Sequence, residues 1–303
     1  MSKQKIQLSD HFDYSRLLRF VLPCVGTMLF TSIYGIVDGL CVSNFVGKTA
    51  FAAVNLIMPV PMLVGSVGFM LGTGGSAIVG ITLGEGDREK ADRYFSLFVW
   101  TGLVAGLLLA VVGFFAVRPA ASLLGAKGEM LDYAVRYGRL LMACLPFFIL
   151  QNMFQSFFVT AENPHLGFAF TVAAGVTNMV LDVVLVGMLH GGVEGAAIAT
   201  FISQAVGGVL PVFYFLNKRS TSSIHLGRTQ WNGGVIRSAC INGSSELMTN
   251  LSMSLVNILY NYQLLRFAGE NGVAAYGVIM YAAFLFVAVF VGYAVGSAPI
   301  VSY

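Results

Sequence analysis

Eight long apolar stretches, separated by short polar segments, are the feature that most constrains the fold of this chain. A helix that crosses a bilayer needs roughly 20 mostly apolar residues. Its backbone groups must also be hydrogen-bonded within the span, because lipid offers no partners. The sequence therefore predicts an all-α polytopic membrane protein with about eight transmembrane helices. The stretches cover residues 20–43, 55–83, 95–117, 138–160, 167–189, 195–216, 238–264 and 273–298.

The composition agrees with a chain that is solvated by lipid. It is 57% hydrophobic and 10% charged, whereas soluble domains are about 25% charged. A net charge of +3, scattered along the chain, excludes a nucleic-acid partner. We expect the lipid bilayer and small organic molecules as partners, and no cofactor. Four cysteines lie in apolar runs without metal-site spacing and are interpreted as small hydrophobic residues: Cys24, Cys41, Cys144 and Cys240.

The distribution of Lys and Arg between the spans predicts the orientation. Loops on the cytoplasmic side carry an excess of these residues. Of the 17 in the chain, most lie on the side of the N-terminus. We therefore expect a multi-pass protein of the plasma membrane with both termini in the cytoplasm. The cationic residues on that side are Lys3, Lys5, Arg16, Arg19, Arg88, Lys90, Arg93, Lys218, Arg219, Arg228 and Arg237.

The chain also repeats itself at an offset of 222 residues. The segment FVGKTAFAAVNLIM at 45–58 aligns with FAGENGVAAYGVIM at 267–280, and 15 of 53 positions are identical between 27–79 and 249–301. The offset spans six predicted helices, an even number. Both copies therefore enter the membrane in the same direction, as parallel repeats do.

This repeat predicts how the chain divides. We expect a complete six-helix N-terminal lobe at 1–216, a cytoplasmic loop between lobes at 217–237, and an incomplete C-terminal lobe of two helices at 238–303. A complete second copy would contain about four more helices. The sequence is accordingly expected to be C-terminally truncated.

Three carboxylates fall inside predicted spans, where a charge costs several kcal/mol. Asp182 lies one helical turn after Asn178, so both side chains share a face. Asp38, Asp182 and Thr200, on three different spans, lie at similar depth in the outer leaflet, with Asn178 one turn deeper. Two carboxylates, an amide oxygen and a hydroxyl suit a hard cation such as Na+. Two adjacent carboxylates also suit a shared proton.

Other interpretations of these residues stay open. A single aspartate near a span end also serves to hydrogen-bond a neighbouring helix, and a threonine often only packs helices together. Glu246 lies in the inner half of the seventh span, where it lines a substrate path or bonds across the two lobes. Pro23, inside the first span, is expected to bend that helix. No convergent catalytic set is present, so an enzyme is not expected.

These residues resemble the multidrug and toxic compound extrusion (MATE) family of cation-coupled antiporters. SIYGIVDGLCVSNFVG at 32–47 is similar to the first helix of that family, NMVLD at 178–182 to its fifth, and GAAIAT at 195–200 to the start of its sixth. Pro23 matches the proline at which the first helix of the family bends. The terminal GSAPIVSY resembles the end of the eighth helix.

The resemblance implies a function. We expect a multidrug efflux transporter that exchanges Na+ or H+ for organic, cationic compounds by alternating access. Asp38, Asn178, Asp182 and Thr200 would bind the coupling ion. The alternatives are a truncated, non-transporting remnant and a lipid-linked oligosaccharide flippase of the same superfamily. The absence of Lys and Arg well inside the spans argues against a flippase, which has to hold a pyrophosphate.

Overall fold

The structure is a computed structural model that describes residues 13–217 and 219–302. Lys3, Lys5 and Lys218, which contribute to the predicted orientation, lie outside the described residues. Within the described part the regular elements are all helical. The α-helices are α1 (Tyr14–Cys41), α2 (Lys48–Ile57), α3 (Pro59–Gly84), α4 (Arg88–Leu123), α5 (Gly128–Ala143), α6 (Leu145–Thr160), α7 (Pro164–Asp182), α8 (Gly192–Leu216), α9 (Gly233–Asn242) and α10 (Ser244–Ser302). Two π-helical segments are π1 (Val42–Val46) and π2 (Val183–Met188).

Most of these helices are long and apolar enough to cross a bilayer. Six helical stretches of the described chain meet that requirement, and α5 and α6, bent by 56° at a break, form a seventh together. The stretch Ser244–Ala298 within α10 has 55 residues, about 82 Å at 1.5 Å per residue. That length suffices for two crossings, and the backbone turns at Gly269, where φ is 61° and ψ is −158°. The prediction of about eight transmembrane helices is confirmed.

Three of the predicted spans contain a break between two helices in the structure. The helix of the second span begins at Lys48, earlier than predicted, and passes from α2 into α3. The fourth span is the bent pair of α5 and α6. It breaks at Cys144 because Pro146 has no N–H with which to continue the helix. The seventh begins at Gly233 and is interrupted at Gly243, between α9 and α10.

Polar caps set where several helices begin. The Asp13 carboxylate accepts a 2.7 Å hydrogen bond from the Arg16 N–H at the start of α1. The Asp87 carboxylate accepts a 3.0 Å bond from the Lys90 N–H at the start of α4. Such caps satisfy backbone donors that have no partner within the helix. Both lie on the predicted cytoplasmic side, where polar segments separate the spans.

Close backbone contacts between helices build the scaffold. A methyl group added at Gly68 would lie 2.9 Å from the Cα of Ile149, and one at Gly72 would lie 3.1 Å from the Cα of Met153. The two glycines therefore let α3 approach α6 closely, as small residues do between membrane helices. This packing leaves α1 and α7, which carry the predicted site, beside one another.

The second half of the chain packs against the first through α10, which contacts α1, α2 and α3. Gly47 and Gly269, which are separated by the repeat offset, both have positive φ, at 118° and 61°. Each directly precedes a helical segment, beginning at Lys48 and at Glu270. The two copies therefore share a backbone feature as well as sequence.

Candidate cation-binding site

Asp38 and Asp182 lie side by side in the structure. Asp38 is in the last turn of α1, and Asp182 is the last residue of α7. Their relative exposures are 5% and 0%. The two carboxyl groups are close enough to interact electrostatically. The structure thus brings together the two carboxylates that the sequence analysis assigned to one site.

Several oxygens of this site have no hydrogen-bond partner. They are Oδ1 of Asp38, both carboxylate oxygens of Asp182, and Oδ1 of Asn178. Asn178 is 1% exposed and lies one turn below Asp182 on the same face of α7. A buried polar atom without a partner costs about 1–3 kcal/mol, and more when it is charged. These oxygens therefore point to a ligand that supplies positive charge or a proton.

The helix faces that carry the site are drawn together by a glycine. A methyl group at Gly175 on α7 would lie 2.8 Å from Cδ1 of Tyr34 and would also collide with the ring of Phe30, both on α1. Glycine at this position allows α7 to approach α1 one turn below Asn178. The approach places the polar face of α7 against the end of α1 that carries Asp38.

Beyond each aspartate the chain continues as a π-helix. The segment π1 follows α1, and π2 begins directly after Asp182. The two segments contact one another, and a methyl at Gly187 would lie 3.4 Å from the ring of Phe45. Single π-turns within helices occur frequently at functional sites. Here the widened turns flank the carboxylate pair on both helices.

Thr200 lies next to a tyrosine that neighbours the carboxylate pair. Thr200 on α8 lies beside the hydroxyl of Tyr137 on α5, which is buried and makes no hydrogen bond of good geometry. Tyr137 in turn interacts electrostatically with both Asp38 and Asp182. The structure therefore places Thr200 at the edge of the site, next to a residue that the sequence analysis did not include.

Other neighbours of the pair were also missed from sequence. Two of them are on α1: Tyr34 interacts electrostatically with Asp38, and Cys41 interacts electrostatically with both carboxylates. Tyr281, on the arm of α10 after Gly269, also interacts with Asp38. Tyr34 lies one turn before Asp38, so helical spacing carried a signal for it. For Tyr281 the local sequence carried no signal, because the contact joins distant spans.

The two remaining predicted residues lie away from the pair. Pro23 is buried within α1, which remains helical across it, and the Thr27 hydroxyl donates a 2.9 Å hydrogen bond to the Pro23 carbonyl. Glu246 is half-buried in the first turn of α10, and its carboxylate accepts a 3.4 Å bond from the Asn250 amide. Glu246 is not among the electrostatic neighbours of Asp38 or Asp182.

The donor set determines what this site is able to bind. Carboxylate and amide oxygens are ligands for hard cations. The described residues contain no group of three or more His, Cys, Asp or Glu side chains arranged for a metal ion. In the described part of the chain, no ion pair involves either aspartate, since the pairs join other residues on the surface. An alkali cation or a proton fits these oxygens.

The helices define an integral membrane protein with a buried acidic pair between α1 and α7. The MatE family model matches residues 23–184, just over half of the chain, including Asp38, Asn178 and Asp182. The chain belongs to the MATE family. Members of this family are transporters and not enzymes.

Known relatives share the sequence and fold over nearly the whole chain. The multidrug export protein MepA of Staphylococcus haemolyticus (strain JCSC1435) is 25% identical over 99% of this chain. The solved structure of the MATE multidrug transporter DinF-BH, in complex with a ligand, is 29% identical, with a TM-score of 0.88 over 98% of this chain and 68% of that one. This chain spans 66% of the length of that MepA, and 58% of MepA from Staphylococcus saprophyticus subsp. saprophyticus.

Proposed function

We propose that this chain carries the ion-coupling half of a multidrug exporter, which exchanges Na+ or H+ for organic, cationic compounds. The observation that carries the proposal is the buried pair of Asp38 and Asp182: Oδ1 of Asp38 and both carboxylate oxygens of Asp182 have no hydrogen-bond donor, and no ion pair of the described residues involves either aspartate. A purely structural polar pair would satisfy its own hydrogen bonds. This pair is instead arranged to gain and lose a positive charge.

The ion would act by changing the charge between two helices. Two adjacent carboxylates in a low-dielectric site repel one another. A bound Na+ or proton relieves the repulsion and favours the close contact of α1 with α7. Loss of the ion favours separation, and Pro23 is placed within α1 where the helix is able to bend. Alternating access would follow if these two arrangements opened the substrate path to opposite sides.

The proposed substrate class follows from the relatives and from the acidic character of the site. MepA is described as a multidrug export protein, and DinF-BH as a multidrug transporter. An acidic site that exchanges one cation for another favours organic cations with apolar bodies. We therefore propose organic, cationic and amphipathic substrates.

The proposed location follows from the membrane helices and from the distribution of Lys and Arg. The helices identify a multi-pass membrane protein. We propose that it lies in the plasma membrane with both termini in the cytoplasm, on the basis of the Lys and Arg distribution. The carboxylate pair would then lie in the outer half of the bilayer. This placement gives it access to ions from outside when the path is open in that direction.

The experiment that tests the proposal is ethidium efflux from cells expressing the chain. The 303-residue form is compared with a form extended by the downstream reading frame, each with Asp38→Asn or Asp182→Asn. The exposed Asp132 provides the matched control, Asp132→Asn. We expect export to fall to the level of empty cells in both site variants and to persist in the control.

The outcomes separate the alternatives. If the site variants export as well as the unchanged chain, the assignment of the coupling ion to this pair is wrong. If only the extended form exports, the 303-residue chain contains the ion site without a complete substrate path. If neither form moves ethidium or a second cationic dye while both are present in the membrane, the multidrug activity is wrong.

A further inference from the structure

Helix α1 is held along its length by the arm of α10 that follows Gly269. Near one end, a methyl group at Gly292 would lie 2.5 Å from the Cα of Val25, so the two backbones touch. In the middle, the Ser32 hydroxyl, which donates to the Met28 carbonyl at 3.1 Å, also lies 3.5 Å from the carbonyl of Phe284. Both contacts are made by residues of α1 that lie between Pro23 and Asp38. Any bending of α1 would therefore change its contact with the second half of the chain.

The contact nearest the site is made by Tyr281. A methyl group at Gly39 would lie 2.7 Å from the Tyr281 hydroxyl oxygen and 2.8 Å from Cε2. Only glycine at position 39 leaves room for this ring. The ring of Phe51 on α2 lies 6.3 Å from that of Tyr281, centroid to centroid. The tyrosine is therefore packed against the residue that directly follows Asp38.

Tyr281 lies in a different half of the chain from the other polar neighbours of the pair that are named above. It is a titratable neighbour that comes from the second half of the chain, on α10. The other groups that face the pair belong to the first half: Tyr34, Cys41, Tyr137 and Asn178, with Thr200 behind Tyr137. Tyr281 interacts electrostatically with Asp38 and with Tyr137. It is thus the polar link between the ion site and the second half.

We propose that Tyr281 is a positioning residue that couples occupancy of the Asp38–Asp182 pair to the contact between α1 and α10. The inference rests on the proposed function of the pair. The dipole of the phenol hydroxyl interacts more strongly with a charged carboxylate than with a neutral one. When the pair is empty and charged, Tyr281 holds α1 against α10. When a cation or proton neutralises the pair, this contact weakens and α1 is released.

The test replaces the hydroxyl and leaves the ring in place. Efflux is measured as a function of drug concentration and of external pH and Na+ for Tyr281→Phe, in the chain form that exports. We expect the maximal rate to fall severalfold, because the phenol dipole no longer connects the charged pair to α10. The drug concentration for half-maximal rate is expected to be unchanged, and the dependence on the coupling ion is expected to flatten.

The controls separate the hydroxyl from general effects on packing. Tyr276→Phe removes a hydroxyl from the same helix, one that donates to Asn257 at 2.9 Å, and should retain the unchanged ion dependence. Gly39→Ala should reproduce the effect of Tyr281→Phe by displacing the ring. Gly35→Ala, on the same helix with nothing within 4 Å, should have no effect. If Tyr281→Phe retains the rate and ion dependence of the unchanged chain, while Asp182→Asn abolishes export, the inference is wrong and the proposed function stands.

A second measurement does not depend on transport. A methyl group at Gly296 would lie 3.2 Å from both Cβ and Sγ of Cys24, so Gly296→Cys is placed to form a disulfide with this native thiol. The yield of this cross-link should decrease as Na+ or protons neutralise the pair. The yield should no longer depend on Na+ or protons in Tyr281→Phe and in Asp182→Asn. The pH dependence measured with Asp182→Asn also corrects for ionisation of the thiols. A yield that depends on the ion equally with Tyr281 or Phe at this position would overturn the inference.

Discussion

The hydroxyl of Thr49 donates a 2.8 Å hydrogen bond to Oε2 of Glu270, 221 residues further along the chain. Thr49 lies two residues after Gly47, and Glu270 directly follows Gly269, so the bond joins the equivalent turns of the two repeats. Asn261, before that turn, donates a 3.1 Å bond to the carbonyl of Asn55 on α2. The two halves of the chain are therefore bonded to each other at this end of the bundle.

We predict that this bond stabilises the contact between the halves. Thr49→Val retains the shape of the side chain and removes the donor, and Glu270→Gln removes the charge. Both groups are half-exposed, so we expect a coupling of about 1 kcal/mol, below the ~1.5–3 kcal/mol typical of bonds to charged groups. A double-mutant cycle on denaturant unfolding in detergent measures it. Additive single effects would mean that the two residues do not interact in the membrane protein.

The carboxylate pair should make the stability of the protein depend on the coupling ion. An ion that binds the folded state adds RT ln(1 + [L]/Kd), about 2.7 kcal/mol at one hundred times Kd. We expect added Na+ at constant pH, or protons without Na+, to raise the thermal midpoint of the purified chain. The rise should disappear in Asp182→Asn. K+ or choline at equal ionic strength provides the control, and whichever of Na+ and H+ has no effect is excluded as the stabilising ion.

The close approach of α7 to α1 should be necessary for that stabilisation. Gly175→Ala places a methyl group against the rings of Phe30 and Tyr34. We expect it to force the helices apart and to weaken ion-dependent stabilisation by at least severalfold in apparent Kd. The loss follows because precise placement of the ligating groups is lost. Gly35→Ala is the matched control, since its methyl group would meet nothing within 4 Å. Equal Kd values for the two variants would contradict the prediction.

Sequence reasoning located part of this site because the required information is local. Asn178 and Asp182 share a helix face by their spacing, and the depth of Asp38 follows from its distance to the span end. Tyr137 was missed because it precedes the predicted fourth span, whereas α5 already begins at Gly128. The contact of Tyr281 with Gly39 depends on how distant spans pair, which hydrophobic periodicity does not encode. Hydrophobic periodicity likewise carries no signal for the π-helical segments.

The segment between α8 and α9, which the sequence analysis treated as a loop between lobes, is docked on α4. The N–H of His225 donates to the Asp92 carboxylate at 2.7 Å, and the N–H of Gly227 donates to the Ser96 hydroxyl at 2.9 Å. Ile224 is also fully buried. The exposed Arg228 therefore lies on a segment whose mobility is limited by these bonds.

Ser96→Ala removes one of the bonds that hold Arg228 near α4, and we expect faster tryptic cleavage at this residue. Opening of a docked segment sets its rate of proteolysis, and loss of one neutral hydrogen bond of about 1 kcal/mol corresponds to roughly fivefold. Ser203→Ala is the control, because its hydroxyl bonds only within α8. The same assay tests the proposed orientation. Cleavage at Arg228 should occur in inverted membrane vesicles and not in right-side-out vesicles, and the reverse result would place this segment outside.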